Sequence, residues 1–206
     1  MNAPSLSRLP RRLLIATTNR KKKEELAALL KGLAIEILTL DDLAYVPRVH
    51  EDQDTFEGNA VKKAVTISRR TGEVTLADDS GLEVEALGGS PGVYSARFAG
   101  RAKSDEANIR KLLRLLDGMP REKRKARFVC ALALARDGKV ERVFTGKVSG
   151  YIGREKRGTG GFGYDPVFYY PPFKMTFAQI EQKRKNSISH RSRALRKLAG
   201  SFRKER

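Results

Sequence analysis

Tryptophan is absent from this chain, cysteine occurs once and histidine twice among 206 residues. A single cysteine, Cys130, excludes an internal disulfide, and one cysteine with two histidines cannot build a zinc finger. Acidic residues are also few, with 24 Asp and Glu against 42 Lys and Arg, so the formal net charge is +18. No apolar run approaches the roughly 20 residues that span a bilayer. These absences exclude disulfide scaffolds, zinc fingers and membrane-spanning helices.

The surplus of basic residues is the feature of the composition that bears most on partners. Lys and Arg concentrate in residues 121–127 and from Lys183 to the end. Such a charge is compatible with nucleic-acid binding, with binding of small polyanions or with a solvated surface. No aromatic box of the RNA-recognition type accompanies it, so we expect at most weak, non-specific nucleic-acid binding. A basic nucleic-acid-binding module remains the alternative to an enzyme.

The two ends of the chain differ in composition from the rest. Residues 1–11 form a basic leader that we expect to be flexible, and residues 203–206 form a basic tail. The apolar stretch at residues 13–16 is too short for the core of a signal peptide. We therefore expect a cytoplasmic protein with no membrane partner. The intervening residues 12–202 have the length of a single domain.

Apolar periodicity predicts a mixture of helices and strands. Asp137 and Gly138 mark a hairpin, whereas helices separate other strands. This mixture predicts an α/β (mixed α+β) fold with a central mixed sheet flanked by helices. The predicted strands are residues 12–17, 34–40, 73–77, 82–87, 126–135, 140–148 and 167–170. The predicted helices are residues 21–30, 55–70, 104–116 and a last one from about 187–189 to about 202.

The glycine-rich residues 158–168 offer flexible backbone, and Phe162 within them offers a ring on which a base can stack. Three of the glycines match G-x-G-x-x-G, but an extended run follows instead of a helix, which argues against a dinucleotide-binding fold. No P-loop motif occurs in the chain. Residues 185–191 add a lysine, a histidine and an arginine, so the two segments together predict a nucleotide site. A surface hairpin is the alternative for the glycines.

Two further groups of polar residues lie where predicted strands end. Residues 17–19 separate the first strand from the first helix, where hydroxyls and free amides can cradle phosphate, although an ordinary helix cap would use the same residues. Glu51 lies in a predicted loop, and Asp78 and Asp79 end a predicted strand. Converging carboxylates suit Mg²⁺, which prefers oxygen ligands. A simple turn is the alternative for the two aspartates.

Six segments in the same order resemble the signature blocks of one enzyme family, the Ham1-like inosine/xanthosine triphosphate pyrophosphatases. The resemblance implies an elongated α/β domain with an active-site cleft between two lobes, a homodimer and dependence on Mg²⁺. It also implies hydrolysis of ITP, dITP and XTP to the monophosphate and pyrophosphate, which removes deaminated purines from the nucleotide pool. A related pyrophosphatase that acts on modified pyrimidine nucleotides is the second alternative. The six segments are residues 16–19 with Lys22, 55–64, 77–82, 88–97, 160–166 (GGFGYDP) and 188–191 (ISHR).

By position, the resemblance assigns the metal to Glu51 and Asp79, and Asp79 would also orient or deprotonate the attacking water. Phe162 would stack on the purine, and His190 and Arg191 would read the edge of the base. The remaining substrate-binding residues fall into three groups. Thr17, Thr18, Asn19, Arg20, Lys21, Lys22 and Lys63 would hold the triphosphate, Ser80 and Lys185 would contact the nucleotide, and Gly163, Tyr164 and Asp165 would shape the base pocket.

Overall fold

The computed structural model describes residues 10–31, 34–46 and 48–203. Most of the predicted leader and the tail beyond residue 203 therefore lie outside the described residues. The strands are β1 (Arg12–Ala16), β2 (Glu36–Thr39), β3 (Thr75–Val84), β4 (Lys125–Arg136), β5 (Lys139–Ile152), β6 (Phe168–Tyr170) and β7 (Met175–Thr176). The helices are α1 (Arg20–Leu30), α2 (Phe56–Thr71), α3 (Asp105–Leu115), α4 (Gln182–Ile188) and α5 (His190–Arg203). Within the described ranges, no helix is long and apolar enough to cross a membrane.

The strands form one mixed sheet in the order β2-β1-β3-β4-β5-β6-β7. β1 pairs in parallel with β2 and with β3, so that Leu14 lies opposite Leu38 on one side and Thr75 on the other. β5 pairs antiparallel with β6, and β6 pairs antiparallel with β7. Parallel neighbours need a crossover, which α1 and α2 supply here. The predicted α/β fold with a mixed sheet and flanking helices is therefore confirmed.

The chain divides into two units, and each has its own apolar core. Unit 1 contains the residues up to Asp79, Cys130–Gly146 and the residues from Arg191 onward, and unit 2 contains Ser80–Val129 and Lys147–His190. The prediction of one domain over residues 12–202 stays a prediction. The core of unit 1 includes Leu13, Ile15, Leu26, Leu30, Leu76, Leu132, Leu195 and Leu198. The core of unit 2 includes Leu82, Val84, Ile109, Leu112, Phe128, Val148, Phe168 and Phe177.

Local sequence signals explain where the first two helices begin and end. Asn19 caps α1 by accepting a hydrogen bond from the Lys22 amide at 3.1 Å. Thr55 caps α2 in the same way, because its Oγ1 accepts a hydrogen bond from the Gly58 amide at 3.0 Å. α2 ends at Gly72, whose left-handed backbone (φ 72°) glycine adopts without a steric penalty. These caps explain where α1 begins and where α2 begins and ends.

The break predicted between the strands at residues 73–77 and 82–87 is wrong, because β3 continues through both aspartates to Val84. Asp and Gly disfavour strands in general, but tertiary contacts override that preference here. The Leu82 amide donates to Ser95 Oγ at 2.9 Å, which holds the backbone extended. Gly81 lies so close to this serine segment that an added Cβ would come within 2.7 Å of the Gly92 carbonyl oxygen. The glycine therefore serves a close approach and not a turn.

The helix predicted from about residues 187–189 to about 202 corresponds to α5, which begins at His190, but the separate helix α4 before it is not predicted. Ser189 has an extended backbone (φ −63°, ψ 159°), which ends α4 before α5 begins. α4 is strongly polar over Gln182–Ile188, and it shows neither a side-chain cap nor the apolar period that identifies a helix in sequence. Because of the break at Ser189, His190 and Arg191 begin α5 and do not continue α4.

Gly81→Ala tests the close approach in β3. We expect the substitution to lower the free energy of unfolding by about 1–3 kcal/mol, because the methyl group would displace Ser95 or the Gly92 carbonyl. Gly200→Ala is the control, since an added Cβ in α5 meets no atom within 4 Å, and it should stabilise the helix by about 0.5–1 kcal/mol. Urea unfolding measures both changes in the free energy of unfolding, provided that the m-value is the same for each protein. Equal effects of the two substitutions would contradict the steric explanation.

Candidate active site

Five charged side chains of unit 1 meet at β3 and form what we call the acid–lysine cluster: Glu51, Asp78, Asp79, Lys22 and Lys63. Lys22 Nζ, from α1, lies 2.6 Å from Asp78 Oδ1. Lys63 Nζ, from α2, pairs with Glu51 and also donates to the backbone oxygen of Asp78 at 3.0 Å. Asp79 interacts electrostatically with both lysines and with Glu51. The structure thus brings together four residues that the resemblance selected from four separate segments.

The two adjacent aspartates have opposite electrostatic environments. Burial opposes ionisation of Asp78, but the charges of Arg191 and Lys22 more than offset it, so the pKa of Asp78 lies well below its ordinary value. Burial also opposes ionisation of Asp79, the lysines compensate only in part, and Glu51 adds negative charge, so the pKa of Asp79 rises to about 6. Asp78 is therefore ionised at neutral pH, whereas Asp79 can exchange a proton near neutral pH.

A buried ion network lies behind Asp78. Arg191, which is 1% exposed, donates from Nε to Asp78 Oδ2 at 3.0 Å and from Nη1 to Glu25 Oε2 at 2.5 Å. The Cys130 thiol donates to the same Asp78 oxygen at 3.1 Å. Burial, followed by the charge of Asp78, raises the pKa of Cys130, which keeps the thiol protonated. Asp78 therefore has several donors, as a buried carboxylate requires, and it holds the ammonium group of Lys22 in place.

The predicted phosphate cradle lies at the turn from β1 into α1. Thr17 is buried, and its Oγ1 accepts a hydrogen bond from the Asn19 amide at 3.2 Å. Asn19 caps the helix, so the ordinary-cap interpretation is correct for this residue. Thr18, Arg20 and Lys21 are exposed. Backbone amides at such a helix start bind anions well, and the cap does not prevent that use.

Unit 2 holds a second group, which we call the base-pocket cluster: Phe162, Tyr164, Asp165 and Lys185. Asp165 Oδ2 accepts hydrogen bonds from the Phe162 amide at 2.8 Å and from Lys185 Nζ at 2.5 Å, and both charged groups are buried. Lys185 Nζ also lies 5.1 Å from the centroid of the half-buried Phe162 ring. The Tyr164 hydroxyl donates to the Ser95 carbonyl oxygen at 2.9 Å. The structure therefore places one partly accessible ring beside a buried, paired cation.

The remaining predicted residues are distributed over both units. His190 is buried in unit 2, where its ring stacks on Phe128 with a centroid distance of 4.9 Å. Arg191, the next residue, belongs to unit 1 and binds the carboxylates described above. Ser80 is half-buried in β3, and Gly163 has a left-handed backbone (φ 59°). The two residues predicted to read the base edge thus have different surroundings, one aromatic and one ionic.

Glu51 and Asp79 are the oxygen ligands available to the predicted Mg²⁺. Across the part of the chain that the structure describes, no group of three or more His, Cys, Asp or Glu residues is arranged to hold a metal ion. Mg²⁺ in phosphate chemistry needs only one or two carboxylates, because water and substrate phosphates complete its shell. The raised pKa of Asp79 shows that its negative charge is only partly compensated, which favours a nearby cation. The donor set therefore fits Mg²⁺.

Comparison with known proteins decides the family. The sequence-family model that describes the Ham1 family matches residues 13–201 of this chain. The chain belongs to the Ham1 family. A dITP/XTP pyrophosphatase of Geobacillus kaustophilus is 52% identical over 186 residues, which are 90% of this chain and 91% of the relative. A dITP/XTP pyrophosphatase of Desulforamulus reducens is 50% identical over 186 residues, which are 90% of this chain and 92% of the relative. The solved Ham1 protein of Staphylococcus aureus superposes with a TM-score of 0.85 at 40% identity, covering 95% of this chain and 100% of that one.

Three polar residues with contacts to these clusters are not among the site residues predicted from the sequence of this Ham1-family chain. Glu25 follows another glutamate in a charged helix turn, so it resembles a solvent-exposed residue, although it is buried. Cys130 lies in an apolar strand and is interpreted from sequence as an inert core thiol, whereas the structure shows it donating to Asp78. Asp105 is predicted only as an acid in the first turn of a helix, yet it also binds the Gly163 amide. Only the buried position of Glu25 on α1 leaves a weak signal, through the spacing of its apolar neighbours.

Proposed function

We propose that this chain hydrolyses non-standard purine nucleoside triphosphates, namely ITP, dITP and XTP, to the monophosphate and pyrophosphate. The observation that carries the proposal is the acid–lysine cluster, in which a carboxylate with a pKa of about 6 lies beside two lysines. The relatives named dITP/XTP pyrophosphatase, which align over about nine-tenths of the chain, support the substrate class.

Lys22 and Lys63 are suited to bind the phosphates. A nucleoside triphosphate brings about four negative charges, which must be balanced where the reaction occurs. Without substrate, Lys22 pairs with Asp78 and Lys63 with Glu51, so both ammonium groups are already positioned. The amides at the start of α1, next to Thr17, add uncharged donors for a phosphate.

Asp79 is suited to activate water. Hydrolysis of the triphosphate needs a positioned water molecule and a proton acceptor, and it needs no protein nucleophile. Asp79 accepts the proton of the water as it attacks phosphorus, and pyrophosphate leaves. A pKa of about 6 leaves Asp79 mostly ionised at pH 7 but still basic enough to take the proton.

Glu51 and Asp79 would hold the Mg²⁺ ion that the resemblance implies. When bound, the ion would neutralise phosphate charge and polarise the attacking water. Glu51 would exchange its pairing with Lys63 for the ion, which leaves that lysine available to the phosphates. A homodimer and a cytoplasmic location are proposed from the resemblance, and light scattering of the purified protein tests the first.

The purine is proposed to stack on Phe162, with His190 at the edge of the base. Phe162 is half-buried and can stack on any purine, so it adds affinity without selectivity. Because Arg191 donates to Asp78 and Glu25, we propose that it positions the acid–lysine cluster and leaves the reading of the base to His190. A ring nitrogen that donates to the six-oxo group of ITP cannot satisfy the six-amino group of ATP.

Two substitutions separate stacking from reading. Phe162→Ala should lower kcat/KM for ITP and ATP alike, by about 5- to 100-fold, because stacking is worth about 1–3 kcal/mol per base. His190→Phe keeps a ring against Phe128 and removes the ring nitrogens, so it should reduce the ITP-over-ATP ratio by about tenfold or more. Steady-state kinetics with both nucleotides measure these effects. An unchanged ratio in His190→Phe would show that another group reads the base.

A further inference from the structure

The ring proposed to stack on the purine lies in a segment without regular structure. Phe162 lies between Gly161 (φ 72°) and Gly163 (φ 59°), both in the left-handed region. Neither glycine has a side chain that could restrict the backbone by packing. The position of the Phe162 ring therefore depends on the hydrogen bonds that this segment, residues 161–165, makes with its surroundings.

Two carboxylates bind consecutive amides of this segment. Asp165, at its end, accepts from the Phe162 amide at 2.8 Å and is itself fixed by the buried Lys185. Asp105 accepts from the Gly163 amide, with a distance of 2.8 Å between the nitrogen and Oδ2. Asp105 is 58 residues away in the chain, so this second bond ties the segment to α3.

α3 is a firm support for such a bond. Ser104 caps it by accepting from the Ala107 amide at 3.2 Å. Asn108 binds the preceding segment twice, by accepting from the Ala99 amide at 2.7 Å and by donating to the Ala96 carbonyl at 3.1 Å. Ile109 and Leu112 anchor the same helix in the core of unit 2. Asp105 is exposed to solvent, but its hydrogen bond is charge-assisted and comes from an anchored helix, so it is a directional restraint on Gly163.

The charge of Asp105 also reaches the base-pocket cluster. Burial, together with the negative charge of Asp105, raises the pKa of Tyr164, the residue after Gly163. Tyr164 therefore stays protonated and keeps its hydrogen bond to the Ser95 carbonyl oxygen. Asp105 thus acts on two successive residues of the segment that carries Phe162.

We propose that Asp105 is a positioning residue for purine recognition, which holds the Gly163 amide and thereby sets the place of the Phe162 ring. The identity of the ligand rests on the proposed function, whereas the restraint on the segment does not. Asp105 and the segment that it binds belong to unit 2, whereas the residues proposed to bind the phosphates and to activate water belong to unit 1. Its loss should therefore act on binding of the base and leave the chemical step unchanged.

Three variants distinguish a hydrogen bond from a charge and from helix stability. Asp105→Ala removes the acceptor, Asp105→Asn keeps an acceptor oxygen without the charge, and Glu106→Gln removes a charge from the same helix turn. Glu106 pairs with Lys156 at 2.6 Å and has no contact with Gly163 in the structure. We expect Asp105→Ala to raise the KM for dITP about 5- to 30-fold with kcat changed less than about twofold. Asp105→Asn and Glu106→Gln should stay within about threefold of wild type.

Two further measurements make the test independent of turnover. Inhibition by inorganic pyrophosphate, which has no base, should be the same in all variants. Amide hydrogen exchange of residues 161–165 in the ligand-free protein should be faster in Asp105→Ala than in the other two variants. If the wild-type protein does not hydrolyse dITP, the proposed function fails, and exchange still decides whether Asp105 restrains the segment. Unchanged exchange in Asp105→Ala, faster exchange with unchanged KM, or an equal loss in Glu106→Gln would overturn the proposal.

Discussion

Asp79→Asn is expected to abolish turnover and, at the same time, to stabilise the ligand-free fold at neutral pH. The pKa of Asp79 rises from 3.8 to about 6 on folding, so the folded protein binds more protons than the unfolded chain between these values. Stability is therefore lost as the pH rises from about 4 to about 6, up to about 3 kcal/mol at pH 7. Asparagine does not ionise, so the variant escapes this loss.

The activity and the stability of Asp79→Asn are measured separately. Turnover of dITP should fall by at least about 10²–10⁴-fold, because the proton acceptor is lost. Thermal unfolding in EDTA, at pH values from 4 to 8, should show an advantage of the variant that grows up to about pH 6 to 7 and then levels off. Near-normal activity would contradict the role of Asp79, and a variant less stable than wild type at pH 7 would contradict the electrostatic argument.

Asp78→Asn should have the opposite effect on stability, although the residue is the direct neighbour of Asp79. The pKa of Asp78 lies well below its ordinary value, so its ionised form stabilises the fold above the unfolded pKa, and this contribution is lost as the pH falls through the folded pKa. At pH 7 the substitution leaves Arg191 and Lys22 without their shared anion. We expect a loss of about 3–5 kcal/mol, as for other broken buried ion pairs.

Urea unfolding at pH 7 measures this loss, and Asp52→Asn is the matched control. Asp52 also has a lowered pKa, about 2, chiefly through a hydrogen bond from Lys62, but Asp52 is exposed and Lys62 is only half-buried. Solvent screens such a pair, so the control should behave like wild type. Similar losses in the two variants would mean that Asp78 gains nothing from its buried partners.

The mixed sheet and the helix caps could be predicted from local sequence patterns, and the residues of both clusters from motifs and the family resemblance. Thr55 and Asn19 precede apolar-periodic residues, which predicts the caps observed. The strand with Leu132 and Leu134 is apolar on both faces, as a central strand must be, and it lies in the interior of the sheet. Lys22, Lys63 and Glu51 were selected by resemblance, and the structure places them together.

The parts that sequence patterns miss depend on contacts between distant segments. Asp78 and Gly81 have turn propensity, but pairing of β3 with its neighbouring strands, the donors around Asp78 and the Ser95 contact beside Gly81 favour the strand. Arg191 follows a histidine in a polar segment, and its buried partner Glu25 is 166 residues away, so no local sequence pattern predicts its burial. The split of the last helix likewise depends on one extended residue, Ser189.

We propose the acid–lysine cluster as the site of pyrophosphohydrolysis of six-oxo purine triphosphates. The most direct test is the identification of products from dITP, XTP, dATP and a modified pyrimidine triphosphate, each with Mg²⁺ and with EDTA. We expect equimolar monophosphate and pyrophosphate from dITP and XTP with Mg²⁺, a rate at least about tenfold lower for dATP, and no product with EDTA. Release of single phosphate groups, equal rates on dATP, preference for the pyrimidine or full activity in EDTA would contradict it.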